Sequence, residues 1–503
     1  MPEARIEILV NEPIAEINPN LHGHFMEHLG HCVAGGTWVG EESHIPHTNG
    51  VRNDVVEALK AVESPVIRWP GGCFADDYHW KDGIGEKSKR PKRINIHWGD
   101  VIEDNHFGTH EFMAFCKNTG SEPYFSGNLG AGTPQEMRDW VEYCNFPGES
   151  SWAQERKRNG SEAPFNVKFW GVGNENWGCG GNFTPEDYGT EFRRFATYLR
   201  NWGKDPLYLI GCGPNGNDLD WTRRFFTKLK KDYWGGPPIH GYSAHYYCGT
   251  AGTATDYTTA QWYELLWKAN QMEPLVVQQR ALMDAFDPER KVGLIVDEWG
   301  TWHPPTPGRN PAFLWQQNTV RDALVAALTL DIFHRHADKV VMSNIAQTIN
   351  VLQALLLTQN EKMIKTPTYH VYDLYKPHKG GTAVRALFHS ESIDCHANGK
   401  AQKLPLLSGS ASIKGKTLTL TVVNTSADET IHADVNLSGV ASASEVSCSW
   451  LAYPEGDLHA HNTFTTPEVV TTASLSENHE LKGGVLAFKF HPASVTRLTF
   501  ALG

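Results

Sequence analysis

Short apolar runs alternate with segments of helical periodicity over roughly the first three quarters of the chain. This alternation is typical of repeated β-α units. Eight runs predict strands, at residues 20–27, 65–71, 122–127, 167–175, 207–213, 238–245, 292–298 and 339–346. Helical patterns separate most of them, at residues 54–62, 109–119, 185–202, 221–231, 276–286 and 318–335.

Eight such units predict an α/β protein, a (β/α)8 TIM barrel with long loops that covers residues 15–383. A doubly wound parallel sheet is the structural alternative. The barrel is favoured because the polar motifs of the chain fall at the carboxyl ends of the predicted strands, where a barrel carries its active site.

The pattern changes over residues 384–503. Apolar and polar residues there alternate with period two, as in 416–423 and 485–490, and Ser, Thr and Gly-rich turns separate the runs. This texture predicts a C-terminal antiparallel β-sandwich domain, jelly-roll-like. Residues 5–10 alternate in the same way, so we expect segment 1–14 to add a strand to this sandwich.

Composition and charge narrow the classes of function. The net charge of −12 argues against a nucleic-acid binder, whose domain is usually basic. The N-terminus has no secretory signal pattern, and no apolar run approaches the roughly 20 residues of a membrane span. Nine cysteines without a framework fit a reducing compartment. We therefore expect a cytoplasmic protein without a membrane or nucleic-acid partner. A mature secreted form whose signal peptide has been removed is the alternative.

Two glutamates stand at the ends of buried runs. Glu175 follows the run 169–174 and Glu298 follows the run 292–297. A carboxylate at the end of a buried strand costs stability, so two of them suggest a chemical role. The pair fits the acid and the nucleophile of a retaining glycosidase, whose carboxyl groups lie about 5 Å apart.

Other motifs give weaker signals. Residues 211–216 match G-x-G-x-x-G, but no helix pattern begins at the last glycine, so we interpret the segment as a turn at a strand end. The histidines at 22, 24, 28 and 31 lack the partners of a known metal site, so no metal is predicted. A G-x-S-x-G nucleophile elbow is absent from the sequence.

Two cysteines follow predicted strands, Cys73 after the second and Cys179 after the fourth. Both are expected at the mouth of the barrel. Two free thiols are the favoured interpretation for a reducing cell, and a disulfide near the pocket is the alternative.

With these motifs in place, the chain resembles the α-L-arabinofuranosidases of glycoside hydrolase family 51 over nearly its full length. The resemblance rests on the ordered motifs at residues 20–28, 67–74, 82–85, 105–112, 173–176, 297–299 and 344–347, with 350–353 after the last.

The resemblance implies roles for individual residues. Glu175 would be the acid/base and Glu298 the nucleophile. His245 matches a family residue close to the nucleophile. The residues expected to hold the arabinofuranose ring are Glu27, Arg68, Asn174, Tyr247 and Gln353. Family members join a barrel to a sandwich, work without a cofactor and are commonly hexameric.

Two positions depart from the family pattern, and two tryptophans lie in its substrate loops. Position 73 is Cys, as in a subset of the family, where many members carry an Asn that contacts the sugar. His110 stands where an acidic or amide residue is more usual. Trp98 and Trp302 lie in loops that the family uses near the aglycone, so both are candidates to shape the substrate site.

Three functions remain open at this point. The leading one is an exo-acting α-L-arabinofuranosidase on arabinoxylan, arabinan or their oligosaccharides. An endo-β-1,4-glucanase or xylanase of the same family is the second. The third, a carbohydrate-binding protein without activity, would lack one of the two carboxylates, and this sequence carries both.

Overall fold

A computed structural model describes residues 4–229, 238–440, 443–475, 481 and 483–503. Eight parallel strands close into a barrel, each beside its neighbours in sequence and the last beside the first. We number them barrel strands 1 to 8: Gly23–Phe25, Val66–Trp69, Glu122–Gly127, Phe169–Val172, Tyr208–Gly211, Gly241–Tyr247, Gly293–Gly300 and Val340–Ala346. Each overlaps one predicted strand, so the TIM barrel is confirmed.

Ten α-helices lie within the described residues. They are α1 (Asn53–Ala61), α2 (Thr109–Thr119), α3 (Pro134–Asn145), α4 (Ser151–Arg158), α5 (Pro185–Tyr198), α6 (Leu219–Leu229), α7 (Thr259–Ala269), α8 (Met272–Asp284), α9 (Val320–Arg335) and α10 (Pro367–Tyr375). The prediction of residues 109–119 is confirmed in full, whereas α3, α4, α7 and α10 were missed. The last two positions of the predicted helix 221–231 lie outside the described residues.

Local sequence explains where many of these helices begin. A Ser or Thr side chain precedes α3, α4, α5, α7, α9 and α10 and accepts a hydrogen bond from a first-turn N–H. Such a cap satisfies a donor that has no partner inside the helix. The helix α6 begins only at Leu219, well after barrel strand 5, so residues 211–216 form the predicted turn and not a dinucleotide site.

Short elements occupy the loops. The 3₁₀ helices are Pro19–His22, Cys73–Asp76, Trp80–Gly83, Lys87–Lys89, Pro311–Phe313 and Lys376–His378. Four two-stranded pairs join His47–Thr48 with Val51–Arg52, Arg93–Asn95 with Val101–Glu103, Leu356–Gln359 with Lys362–Lys365, and Ser392–Ala397 with Lys400–Pro405.

A nine-stranded sheet follows the barrel. Its order is Thr471–Leu475, Ala443–Ala452, Ser494–Leu502, Thr417–Asn424, Leu407–Lys414, Thr382–His389, Ala4–Glu16, Ile431–Ser438 and Val485–Phe490. Neighbours are antiparallel, except that Ala4–Glu16 runs parallel to Ile431–Ser438. Apolar residues from strands far apart in this order meet in one core, so the sheet curves over itself as a sandwich does. The domain boundary between residues 383 and 384 stays a prediction.

Side chains inside the barrel fill it at the amino-terminal end of the strands. Tyr124, Phe169, Ile210 and Ile295 pack there with apolar neighbours from the other strands. The amino-terminal end is thus apolar, and the polar residues of the barrel lie at the carboxyl ends of the strands. Among the described helices, none combines the length and the apolar composition needed to cross a membrane.

A polar cluster joins helix α9 to the sheet. Asp331 accepts hydrogen bonds from Ser410 (2.6 Å), Thr421 (2.7 Å) and Tyr375 (2.8 Å). His334 approaches Ser410 through Nδ1 at 3.1 Å and His22 through Nε2 at 2.9 Å. His22 is therefore part of the barrel–sheet contact. In the described part of the chain, the groups that could hold a metal include none of the histidines 22, 24, 28 and 31.

Candidate active site

Glu175 and Glu298 meet at the mouth of the barrel. An oxygen of each carboxylate and a ring nitrogen of His245 all lie within 4.8 Å of one another. Glu298 belongs to barrel strand 7, whereas Glu175 lies in the turn after strand 4 with φ of 41°. Gly173, with φ of 89°, begins that turn. The turn brings the Glu175 side chain back towards strands 6 and 7.

Both oxygens of Glu298 receive donors. Arg68 Nη1 donates to Oε1 at 2.8 Å, and the Tyr247 hydroxyl donates to Oε2 at 2.9 Å. The residue is 5% exposed. A Cβ at Gly72 would lie 2.7 Å from Oε1, so only glycine lets the backbone pass this closely. Charge-assisted donors on both oxygens suit a carboxylate that stays ionised.

The surroundings of Glu175 are different. Its Oε1 lies 2.8 Å from His245 Nδ1, while its Oε2 lies 3.5 Å from Cys179 Sγ and 3.9 Å from Cys73 Sγ. Burial raises the pKa of Glu175 and the nearby Glu298 raises it further, with partial compensation from His245. A carboxyl group in this environment keeps its proton more readily than an exposed one.

His245 is held between carboxylates. Its Nε2 lies 3.0 Å from Asp297 Oδ1, and its Nδ1 lies 3.5 Å from Glu298 Oε2. Burial alone would lower the pKa of His245, but Glu298, Asp297 and Glu175 raise it to about 10. Burial would raise the pKa of Asp297, but Arg68 and His245 outweigh it and the pKa is lowered. The imidazole is therefore a cation at neutral pH.

Arg68 ties the site together from barrel strand 2. Besides Glu298, it donates to the Asp297 carbonyl (3.1 Å), Ser126 Oγ (3.0 Å) and the Asn174 side-chain oxygen. Burial opposes its charge, but Asp297 and Glu298 raise the pKa of Arg68 above its ordinary value. The buried Nδ2 of Asn174 has no hydrogen-bond partner among the described residues. That amide is consequently available to a ligand.

Glu27 forms a second acidic point at the mouth. Its Oε1 accepts from Phe74 N (3.1 Å) and Trp98 Nε1 (3.0 Å), and its Oε2 accepts from Gln347 Nε2 (3.0 Å). Burial and then the charge of Glu298 raise the pKa of Glu27 to about 7. The buried Oε1 of Gln347 lacks a partner within the described structure, so it too is available to a ligand.

Gln353 does not join this group. Its side chain is fully buried, accepts from Thr301 N at 2.9 Å and donates to the Asp322 carbonyl at 2.7 Å. Gln347 contacts Glu27 instead. Gln347 ends the motif 344–347, so the sequence contained the signal, but the pattern did not show which glutamine faces the mouth.

The cysteine expectation is corrected. Cys73 and Cys179 form a disulfide with a Cα–Cα distance of 5.5 Å, so the favoured pair of free thiols is wrong. The bond becomes possible because the loops after strands 2 and 4 meet beside Glu175. Position 73 therefore presents a disulfide sulfur to the site and not a thiol.

The remaining predicted residues lie at the rim or away from it. Trp302 is 36% exposed and packs edge-on against the Tyr247 ring, with centroids 5.1 Å apart. His110 is in α2 and contacts the Tyr143 hydroxyl at 2.6 Å, away from the carboxylates. Sequence reasoning missed the inner support of the site, namely Asp76, Tyr124, Ser126, Asp297 and Gln347.

Two close carboxylates of unlike environment at the mouth of a (β/α)8 barrel define the class of protein, a glycoside hydrolase. Two family models then match the chain. They are the α-L-arabinofuranosidase 1 domain at residues 58–262 and the α-L-arabinofuranosidase C-terminal domain at residues 297–494. The intracellular exo-α-L-arabinofuranosidase of Bacteroides ovatus is 40% identical over 96% of this chain and 93% of its own. The chain belongs to the α-L-arabinofuranosidases of glycoside hydrolase family 51.

Solved structures agree. The family 51 arabinofuranosidase of Xanthomonas axonopodis pv. citri has a TM-score of 0.93 at 41% identity, covering 99% of this chain and 100% of its own. The α-L-arabinofuranosidase of Thermotoga maritima, solved with arabinose, has a TM-score of 0.86 at 29% identity over 99% of both chains. A bifunctional glucanase-xylanase, CelM2 from a metagenome library, shares the fold alone, with a TM-score of 0.62 at 13% identity over both full chains.

Proposed function

We propose that this hydrolase releases terminal α-L-arabinofuranosyl residues from arabinoxylan, arabinan or their oligosaccharides by double displacement. The observation that carries the mechanism is the distance between the two carboxylates. Oxygens of Glu175 and Glu298 lie within 4.8 Å of each other. Retaining glycosidases hold the pair about 5–5.5 Å apart, whereas inverting ones need about 6.5–9.5 Å to admit a water.

In the first step, Glu298 attacks the anomeric carbon while Glu175 gives its proton to the departing glycosidic oxygen. The products of this step are a covalent arabinosyl–Glu298 ester and the free aglycone alcohol. In the second step, Glu175, now ionised, takes a proton from water as that water attacks the anomeric carbon. The ester bond breaks, arabinose leaves with retained configuration, and both carboxyl groups regain their starting states.

The unlike surroundings support this division of roles. Both oxygens of Glu298 accept hydrogen bonds, from Arg68 and Tyr247, which stabilise an ionised nucleophile. Among the described residues, Oε1 of Glu175 faces a donor, His245, whereas Oε2 faces disulfide sulfurs, which carry no proton. We assign the acid proton to that second oxygen, Oε2. Pairs of carboxyl groups pushed apart in pKa are the usual mark of such a division.

The ring of the sugar would lie among groups that can still form hydrogen bonds. Asn174 Nδ2 and Gln347 Oε1 are buried without partners in the described structure, and Glu27 lies beside Gln347. Following the family resemblance, we assign Glu27, Arg68, Asn174, Tyr247 and His245 to the sugar site. We assign Gln347, and not Gln353, as the glutamine of the sugar site, because Gln347 contacts Glu27.

The loops favour a closed pocket, and hence an exo mode of attack. The hairpin formed by Arg93–Asn95 and Val101–Glu103 carries Trp98, which donates to Glu27. A Cβ at Gly99, beside Trp98, would lie 3.2 Å from Ala312 Cβ and 3.4 Å from the Phe313 ring. The hairpin thus packs against the loop after strand 7. An endo enzyme needs an open cleft through which a polymer can pass.

We also propose a cytoplasmic location, which the name of the Bacteroides ovatus relative supports. Imported oligosaccharides would then be the natural substrates. From the family resemblance we propose a homo-oligomer, with a hexamer as the expected size. Sedimentation velocity of the purified protein tests this, and a monomer would contradict it.

The function is tested by assaying 4-nitrophenyl α-L-arabinofuranoside beside carboxymethylcellulose and xylan. We expect release of 4-nitrophenol and, by proton NMR, arabinose that first appears as the α anomer. Dialysis against EDTA should leave the rate unchanged, since each step uses side chains alone. First appearance of the β anomer would contradict double displacement. Faster attack on carboxymethylcellulose than on the arabinoside would favour the endo alternative.

A further inference from the structure

One buried carboxylate at the mouth has no place in the two chemical steps. Asp76 is 3% exposed and ends the 3₁₀ helix Cys73–Asp76, in the loop after barrel strand 2. Its Oδ1 accepts hydrogen bonds from the backbone N–H groups of Leu129 and Gly130, both at 2.7 Å. Its Oδ2 accepts from Asn174 N at 2.8 Å and from Asn176 Nδ2 at 3.3 Å. One side chain thus joins the loops after strands 2, 3 and 4.

The donor count suits a carboxylate and no other side chain of this size. An ionised carboxylate accepts about four hydrogen bonds and donates none. Four donors meet Asp76, three of them backbone N–H groups. An asparagine would turn two N–H bonds towards two of these donors, and the contacts on that side would be lost. A backbone bond from Ala131 N to the Asp76 carbonyl, 2.9 Å, strengthens the same junction.

Asp76 holds the residues on both sides of Glu175. Asn174, which precedes Glu175, donates its backbone N–H to the Asp76 carboxylate. Asn176, which follows Glu175, donates its side-chain amide to the same carboxylate. Asn176 Nδ2 also donates to the Gly180 carbonyl at 2.7 Å, which closes the turn. Glu175 itself has φ of 41°, a left-handed conformation that a glutamate adopts only when its surroundings hold it there.

We propose that Asp76 is a positioning residue for the acid/base, fixing the turn 174–176 so that Glu175 Oε2 reaches the leaving group. This inference rests on the proposed function. The disulfide joins the same two loops at Cys73 and Cys179, but it provides no hydrogen-bond acceptor for the Asn174 N–H, which Asp76 does. Asp76 binds the backbone N–H of Asn174, on the near side of Glu175, whereas the backbone N–H of Asn176, on the far side, donates to Cys212 Sγ at 3.3 Å.

The test is Asp76→Asn, measured as kcat/KM on a series of aryl α-L-arabinofuranosides with good and poor leaving groups. A displaced acid harms poor leaving groups most, because they depend on protonation. We expect a loss of about 10- to 100-fold for phenyl arabinoside, the scale of a misplacement near 1 Å, and a loss below about threefold for the 2,4-dinitrophenyl substrate. The alkaline limb of the pH profile should also shift, since it reports the proton on Glu175.

Asp331→Asn is the matched control. Asp331 is equally buried and accepts three hydrogen bonds, but it lies on α9 against the sheet. It should lower the melting temperature without changing the leaving-group dependence. Asn176→Ala provides a second variant, which keeps the carboxylate and should show the pattern of Asp76→Asn more weakly. Should Asp76→Asn not fold, the result for Asn176→Ala decides.

Two outcomes overturn the proposal. One is an equal loss on all substrates in Asp76→Asn. The other is a leaving-group dependence like that of the wild type, in Asp76→Asn or, if that variant does not fold, in Asn176→Ala. Failure of the proposed function looks different, since the wild type would then not hydrolyse the arabinosides or Glu175→Ala would show no leaving-group effect.

Discussion

The mouth of the barrel and its contact with the sheet are both buried and polar, yet they stabilise opposite protonation states. At the mouth, Arg68 and His245 lower the pKa of Asp297 against the effect of burial, and Glu298 and Asp297 raise the pKa of His245 to about 10. At the sheet, Asp331 and His378 face hydroxyl groups, and burial raises the pKa of Asp331 to about 6 and lowers that of His378 to about 3.

The difference lies in the partners and not in the depth of burial. Opposite charges at 3 Å stabilise ions in the interior, whereas hydroxyl groups leave the desolvation penalty largely uncompensated. The first arrangement suits a site that must keep one carboxylate ionised beside one that is protonated. The second suits a joint that only has to hold two domains together. Substitutions at the mouth and at the joint probe this contrast.

Glu298→Ala should have the largest effect. Removal of the nucleophile abolishes the covalent route, so we expect kcat to fall at least about 1,000-fold, a large effect for a group acting on the reacting bond. Steady-state hydrolysis of 4-nitrophenyl α-L-arabinofuranoside measures it. Glu273→Ala on α8 is the control and should retain the wild-type rate. Turnover near that of the wild type in Glu298→Ala would sink the mechanism.

Glu175→Ala should depend on the substrate. A loss of about 10²–10⁴-fold is expected for poor leaving groups, the range of general acid catalysis, and a much smaller loss in the first step for activated ones. Added azide should restore turnover of activated substrates, because a small anion can enter the vacated space and attack the ester. Equal losses across the series would remove Glu175 from the acid role.

Gln347 and Gln353 follow barrel strand 8 in one loop, and we expect substitution of the first to reduce activity and substitution of the second to reduce stability. Gln347→Ala removes a hydrogen bond to the buried carboxyl group of Glu27 and leaves Oε2 without that donor, so we expect kcat/KM to fall by about 10- to 100-fold, equivalent to about 1.4–3 kcal/mol. Gln353→Ala leaves Thr301 N without its acceptor and removes one hydrogen bond to the Asp322 carbonyl, so it should lower the free energy of unfolding by about 1–3 kcal/mol. Kinetics and urea unfolding of both variants test this, and a reversal of the two phenotypes would contradict the placement.

His378→Asn should change how stability depends on pH. The folded pKa of His378, about 3, is below its unfolded value of about 6.5, so its contribution is complete above pH 6.5 and is lost as the pH falls towards 3. The loss reaches about 1.4 kcal/mol per pH unit for one group. Asp331, with its raised pKa, acts in the opposite direction between about pH 4 and 6.

Urea unfolding at several pH values should therefore give a shallower acid slope for His378→Asn than for the wild type. The exposed His389→Asn is the control and should keep the wild-type slope. An unchanged slope in His378→Asn would mean that the joint does not hold this histidine neutral.

The sequence predicted the periodic parts of the fold well. All eight barrel strands were found, most of them because they are short apolar runs bounded by polar loops. The helices α3 and α10 were missed although a Thr-Pro pair marks each start. In α3 the apolar residues Met137, Trp140, Val141 and Cys144 also recur at helical spacing, so the sequence carried the signal of this helix.

Within the candidate site, the sequence predicted the groups that face the substrate but not the residues that support them. Glu175 and Glu298 stood out because each ends a predicted strand, and the family resemblance supplied the sugar contacts. The supporting bonds join residues far apart in the chain, such as Asp76 with Gly130 or Tyr124 with Asp297. Pairings of this kind depend on how loops from different strands meet, and a linear pattern does not contain that information.

The strand Ala4–Glu16 has a consequence for synthesis of the chain. It lies between Thr382–His389 and Ile431–Ser438, so it leaves the ribosome long before the segments with which it pairs. At translation rates of about 5–20 residues per second, this strand waits some 20 to 90 seconds for those partners. Until then its edges are open to other nascent chains, and a chaperone that covers them should raise the yield of native enzyme.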